Sequence, residues 1–433
     1  MNAQQQVENL LDFIDASPSP WHAVESIRQW LLRFQFQALS ETDKWSLKAG
    51  GRYFVIRDDS SIIAFVAGKK SVAEGAYKIV GAHSDSPGLR IKPNAAHAME
   101  GWLRLGVEVY GGPILATFSD RDLSLAGRIG YKQNDGTIGT RLLRFDEPLL
   151  RLPNLAIHMN RNVNEEGLKF QKQIELPLLL GASVAEQLPK DTFYKLIQQA
   201  ADIAKEQILS FELNVYDTQK GAFWGSGQEF YADSQLDNLA SCHASLSALL
   251  DEAVLTPDDT LVVACFDHEE IGSCSSKGAE GSFLPDMLER IALATNVGRE
   301  DYQRALARSF LVSADMAHAY QPNFPGAYDI EHKVMVNKGV VIKMNANHRY
   351  ASESASVAMF ARWCELADVP YQLYSHRTDL ACGSTIGPIT SAKLGLRTVD
   401  VGCPLWAMHS LRESAGVLDH GYMIKALRAF FLG

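Results

Sequence analysis

Residues 261–273 read "LVVACFDHEEIGS", an apolar run followed without a break by four ionisable side chains. Leu261 to Phe266 has no polar face, which predicts a β-strand buried on both sides rather than an amphipathic one. Asp267, His268, Glu269 and Glu270 then leave the end of that strand together. Carboxylates crowded beside a core are costly unless an opposite charge compensates them. The stretch therefore calls for helices on both sides of the strand and for a strong positive charge at its end.

Downstream of residue 224 the same rhythm repeats. A helical pattern covers 236–253, the strand 261–266, a helix 284–294, the strand "SFLVSA" 309–314, a helix 353–366 and the strand "LRTVDV" 396–401. Such alternation predicts an α/β fold, a mostly parallel sheet flanked by helices. Upstream, Val7, Leu10, Leu11 and Ile14 fall at helical spacing, "SPSP" interrupts, and Ala23, Val24, Ile27, Trp30 and Leu31 make a second helical face. "YFVI" and "IIAFVAG" predict a hairpin about Asp58 to Ser60, and "YKIVGA" at 77–82 predicts another buried strand.

The texture changes near residue 93. Leu103, Leu105, Val107 and Val109 alternate with Arg104 and Glu108, the period of a half-exposed strand. Short strands and Gly-rich turns continue to about 160, then a helical pattern at 191–209 and the strand "FELNVY". We read 1–92 and 224–433 as two parts of one domain, with 93–223 as an inserted β-rich domain.

A chain of 433 residues suits two domains, and 46% hydrophobic with 21% charged residues is the balance of a globular protein. A net charge of −10, with no Lys/Arg run longer than two, argues against a nucleic-acid partner. The six cysteines form no CxxC pair and read as reduced thiols. No stretch offers the roughly 20 apolar residues of a membrane span, and the N-terminus lacks a signal-peptide pattern, so a cytoplasmic protein without a membrane partner is expected.

In open α/β sheets ligands bind beyond the carboxyl ends of the strands. His83 and Asp85 follow "YKIVGA", the acidic run follows "LVVACF", Asp315 follows "FLVSA", and His409 lies in "GCPLWAMHS" beyond "LRTVDV". Asp237 opens the small-residue helix "LDNLASCHASLSALL". Taken singly, each has a plain alternative: a hydrogen-bonded turn, a helix N-cap, a solvated loop. Together they supply carboxylates and imidazoles but no thiols, the donor set of zinc, manganese or cobalt. They are too many for one tetrahedral zinc and suit two metals sharing a carboxylate. One Glu of the adjacent pair can then hold metal while the other takes a proton from a metal-held water, which makes the site hydrolytic.

The blocks "GAHSDSPGLRIKP", "SQLDNLASC", "CFDHEEIGS", "SADMAHA", "VVIKMNANHRYAS", "CGSTIGP" and "LWAMHSLRE", in this order from 81 to 413, together resemble the M18 family of metallo-aminopeptidases, the aspartyl aminopeptidases, in its bacterial branch. The resemblance implies two zinc ions per subunit, with manganese or cobalt as possible substitutes. His83 and Asp315 would bind one, Glu270 and His409 the other, and Asp237 both. Glu269 would be the general base and Asp85 would orient the His83 ring. His158, in "NLAIHMNRNVNE", would complete a neighbouring subunit's site and help stabilise the oxyanion. Lys343 would pair with an acidic first side chain of the substrate, with His318, Tyr350 and Met408 as further pocket residues. Gln321 departs from the pattern, standing where relatives often carry a second histidine.

The implied fold is a zinc-peptidase-like proteolytic domain with a β-rich dimerisation insert, in a homo-oligomer built from dimers, a tetrahedral dodecamer in the family. The implied activity is removal of the N-terminal residue from peptide substrates, preferably Asp or Glu, through a metal-bound hydroxide. A binuclear-metal amidohydrolase acting on non-peptide amino-acid conjugates is the alternative, because the same chemistry cleaves both bonds. A catalytically silent assembly protein is a third reading, against which the full ligand set and the intact Glu269 argue.

Overall fold

Strands without a polar face must be covered twice. The computed structural model, which describes residues 1–183 and 187–433, places Tyr77–His83 and Thr260–Phe266 side by side and parallel within a nine-stranded sheet. Across that sheet the strands run 37–38, 52–57, 61–66, 260–266, 77–83, 310–314, 397–402, 340–344 and 371–375. Five of its eight neighbouring pairs are parallel, so the sheet is mixed but mostly parallel, as expected.

Alternate residues of the central strands feed two cores. Val80, Ala82, Val263, Cys265, Val312 and Ala314 pack in the core that contains the apolar faces of helices Ala3–Asp15, Leu236–Leu249 and Val417–Leu432. Tyr77, Ile79, Val262, Ala264 and Leu311 pack in the other, with Phe283, Met287 and Ile291 of helix Phe283–Ala294. Each such side chain contributes roughly 1.5–3 kcal/mol on burial, so covering both faces is what fixes the central strands.

The chain divides into two compact units. One comprises Met1–Asp85, Gly221–Met408 and Glu413–Gly433; the other comprises Ser86–Lys220 and His409–Arg412. The second opens ahead of residue 93 because strand Gly88–Met99 already belongs to its six-stranded antiparallel sheet, ordered 138–144, 123–132, 208–217, 88–99, 102–110 and 178–182. From Trp102 to Glu108 the strand Trp102–Tyr110 alternates between buried and more exposed positions, as its sequence period predicts, but Val109 is only half-buried and Tyr110 is buried in its stead. The helix expected over 191–209 is shorter: it spans Pro189–Ala201, ends where Asp202 turns left-handed, and Ile208 already begins a strand. Helices Arg299–Arg308, Ile386–Leu394 and Val417–Leu432 had no counterpart in the sequence reading. Among the described residues all six cysteines are free, and no helix is long and apolar enough to cross a membrane.

Candidate metal centre

Strand register brings the candidate ligands together. Phe266 is level with His83, and Ser313 with Gly81, so all three parallel strands end at one edge of the sheet. His83 is the last residue of its strand, Asp315 follows Ala314 at once, and the acidic run follows Phe266. Glu269 and Glu270 sit in a short 3-10 turn, Glu269–Ile271, entered through a left-handed His268. Asp237 comes from the first turn of helix Leu236–Leu249, held non-helical at φ −82°, ψ 104°. Close packing fixes Asp315 as well: its N–H donates to Val401 O at 2.9 Å, and a Cβ added to Gly402 would lie 1.8 Å from the Asp315 carbonyl oxygen.

His83 is the hub. Its Nδ1 faces the Asp85 backbone carbonyl at 3.0 Å, and the Asp85 carboxylate lies at 3.4 Å. An Nδ1–H donated there leaves Nε2 with a lone pair. Nε2 points at Asp237 Oδ1 at 3.4 Å, Asp315 Oδ1 at 3.5 Å and Glu269 Oε2 at 3.9 Å. Two donor groups overlap there, His83 with Asp237 and Glu270, and His83 with Glu269 and Asp315. Asp85 also accepts the N–H groups of Glu269 at 3.1 Å and Glu270 at 3.2 Å, so one buried carboxylate ties the histidine loop to the glutamate turn.

The electrostatics are those of crowded anions. Burial raises the Glu269 carboxyl to about 8; the His83 ring opposes this, and Asp315, Asp85 and Asp237 add to it. Burial, then the Asp237 charge, pushes Glu270 well above the carboxylate range. Burial disfavours a charged His83, but the carboxylates of Glu269, Asp237, Asp315 and Asp85 outweigh it and raise its affinity for a proton. A divalent cation answers all of these at once, and the donors present, one imidazole nitrogen among carboxylates, fit zinc.

The other candidates lie as follows. His409 belongs to the second compact unit and to neither donor group; its Nδ1 is 3.0 Å from Gly112 O. His158 is exposed in a turn of that same unit. Lys343 is 2% exposed, donates to Met316 O at 3.0 Å and lies 3.6 Å from Asp315 Oδ2, with Tyr350 at 5.2 Å from its ammonium. His318 packs edge-on to Tyr374 at 6.0 Å, and burial together with Lys343 lowers its pKa to about 4. Met408 packs against the first core, and Gln321 accepts the Asn323 N–H at 2.6 Å. His268, part of the run that raised the question, takes no place in the cluster; its Nδ1 is 2.9 Å from Ser275 Oγ.

Three contributors escaped the sequence reading. Glu413 is buried and accepts the Asp237 N–H at 2.9 Å. Lys277 is buried with its ammonium 3.1 Å from Asp267 and 2.7 Å from Ser60 Oγ, which braces the start of the glutamate turn. His376 lies 6.2 Å from His318. The only signal for Lys277 in the sequence is that the fully buried Asp267 requires a counter-charge.

Residues 13–431 match the family model described as "Aminopeptidase I zinc metalloprotease (M18)". A probable M18 family aminopeptidase 2 of Ectopseudomonas mendocina (strain ymp) is 46% identical over 431 residues, 99% of this chain and 98% of the relative. The fold is similar to that in a cryo-EM structure of an Ape4 and Nbr1 complex, with a TM-score of 0.95 and 39% identity over 99% of this chain and 86% of that one. It is also similar to the S. cerevisiae mApe1 dodecamer, with a TM-score of 0.87 and 27% identity over 100% of this chain and 97% of that one. The chain belongs to the M18 family and is a zinc aminopeptidase, a hydrolase acting on N-terminal residues.

Proposed function

We propose that this M18 aminopeptidase works with two zinc ions per subunit and prefers peptides that begin with Asp or Glu. The observation that carries the reading is the clustering of His83, Asp237, Glu269, Glu270 and Asp315 in two overlapping donor groups, more donors than one tetrahedral ion uses. On this reading His83, Asp315 and Asp237 would hold one ion, and Glu270 and His409, with Asp237, the other. Metal bound there supplies a water of lowered pKa and a polarised scissile carbonyl.

Glu269 is the proton carrier: it takes the proton of the attacking water and returns it to the leaving amine. Its Oε2 lies 3.9 Å from His83 Nε2, at the same edge as the donors. Asp85 holds the ring of His83 and the backbone of the glutamate turn in register. Lys343 supplies the positive charge that favours an acidic first residue, beside a pocket wall of His318, Tyr350 and Met408. His158 from a neighbouring copy completes the oxyanion site, and the β-rich unit joins copies in an oligomer like that of the S. cerevisiae relative.

Initial rates on peptides beginning with Asp, Glu, Leu or Ala, with zinc counted per chain, test this. Glu269→Gln should lose about 10²–10⁴-fold in turnover while keeping its zinc, and Lys343→Met should lose the acidic preference before it loses activity on Leu peptides. One zinc per chain at full activity would refute the two-metal reading, and equal rates on all four peptides would refute the acidic preference.

A further inference from the structure

The first two helices, Ala3–Asp15 and Pro20–Arg33, are absorbed by no step of peptide hydrolysis, yet together with His243 they line a cavity of about 470 Å³. Its apolar wall is a trio of rings: His243 lies 5.7 Å from Phe13 and 5.1 Å from Trp30, and Phe13 lies 6.4 Å from Trp30. Its polar ends differ in sign. Asp12 stands in the last turn of the first helix, which carries no basic residue, so side chain and helix dipole both favour a cation. Glu25 lies on the same lining but is committed to Arg28 at 2.7 Å. Arg33 closes the second helix; like Asp12 it is exposed, and neither has an ion-pair partner among the described residues.

The ring trio also presents a donor. His243 Nδ1 and His420 Nε2 are 2.9 Å apart, and His420 Nδ1 is buried with no partner. An orphaned lone pair is tolerated better than an orphaned N–H. The His420 proton therefore sits on Nε2 and is donated to His243 Nδ1. His243 then carries its own proton on Nε2, a donor for the cavity that its ring lines.

Glu25 and Arg33, eight residues apart on the second helix, both line the cavity, which therefore extends about 12 Å along that helix. A dipeptide spans about 7 Å and a tripeptide about 10 Å between its termini, so either fits along that lining. We propose that this cavity binds a di- or tripeptide with both ends free: ammonium at Asp12, carboxylate at Arg33, an apolar side chain over Trp30 and Phe13, and a peptide carbonyl on His243 Nε2–H. Short peptides of this kind are left when longer ones are shortened residue by residue, so use of the site as a sensor of product rests on the aminopeptidase reading. The binding itself does not.

The probe is Phe–(N-methyl)Leu, whose methylated peptide bond resists hydrolysis, titrated calorimetrically into the zinc-loaded protein. Asp12→Asn and Arg33→Gln, both at exposed positions, should each weaken binding about tenfold, the worth of one charge-assisted contact. N-acetyl and C-amide forms of the probe should lose a similar factor on the wild type. Neither variant should alter hydrolysis of a dilute chromogenic substrate, which separates this cavity from the metal centre. Binding that is unchanged in both variants overturns the proposal. So does absence of binding to the wild type; a changed sedimentation coefficient in the variants would then mark the face as a contact between copies. A protein that binds the probe but cleaves no peptide would leave this proposal standing and remove the functional reading instead.

Discussion

Replacing Asp85 by Asn changes one atom type and removes one charge, so it isolates what that carboxylate does. In the wild type its two oxygens accept the Glu269 and Glu270 N–H groups at 3.1 and 3.2 Å, and one of them lies 3.4 Å from His83 Nδ1. Asparagine retains one acceptor and turns an NH2 toward the other N–H, so one buried donor loses its partner at about 1–3 kcal/mol. Part of that strain relaxes by moving the glutamate turn, and the His83 ring loses the charge that made it a stronger base. Outer partners of this kind are worth about 10–100-fold in metal affinity or activity. Zinc affinity, measured by competition with a fluorescent chelator, should therefore fall by that factor, with turnover at saturating zinc falling comparably. The backbone carbonyl of Asp85 still accepts from His83 at 3.0 Å, so the site should weaken rather than vanish. If Asp85→Asn keeps zinc affinity within twofold while the thermal midpoint drops by several degrees, the residue is only a fold brace and the reasoning fails.

Lys277→Met leaves the fully buried Asp267 charge facing no ammonium, and should destabilise the protein by about 3–5 kcal/mol in chemical unfolding; adding Asp267→Asn should recover more than half. Gly402→Ala forces a Cβ to within 1.8 Å of the Asp315 carbonyl, so about 1–3 kcal/mol of stability should go, and zinc affinity with it; unchanged zinc binding would mean that the edge is softer than it looks. Burial holds His420 down to about 3 and His243 well below the usual imidazole range, so both are neutral in the fold and take up protons on unfolding. Their contribution is whole above about pH 6.5 and is lost as pH falls toward the folded values, at about 1.4 kcal/mol per pH unit for each. His420→Leu should make the thermal midpoint fall less steeply between pH 6.5 and 5; an unaltered slope would show that other groups govern acid unfolding.

Much of the candidate centre was legible because most members of its two donor groups stand at strand ends. An apolar run that stops at a charged residue marks a sheet edge, and His83, Glu270 and Asp315 could be read off in that way. Asp237 was legible as the one acid opening a helix of small buried residues. The brace was not: Glu413 meets Asp237 across 176 positions of sequence, and nothing in either neighbourhood announces the other. His268 stands in the same acidic run but belongs to neither donor group, because its left-handed backbone places the ring beside Ser275.

Period and residue type are local properties, so the chain by itself determined a mostly parallel sheet with helices on both faces, a β-rich insert, and a donor set of imidazole and carboxylates. Which donors meet is decided by register between strands that lie far apart in the chain. Only when Phe266 is level with His83, and Ser313 with Gly81, do three separate strand ends become one site. The tertiary structure alone settled that Lys343 is buried against Asp315 and that Asp85 binds two loops at once. Such contacts depend on how close two backbones can come, and at Gly402 that closeness hangs on a missing Cβ.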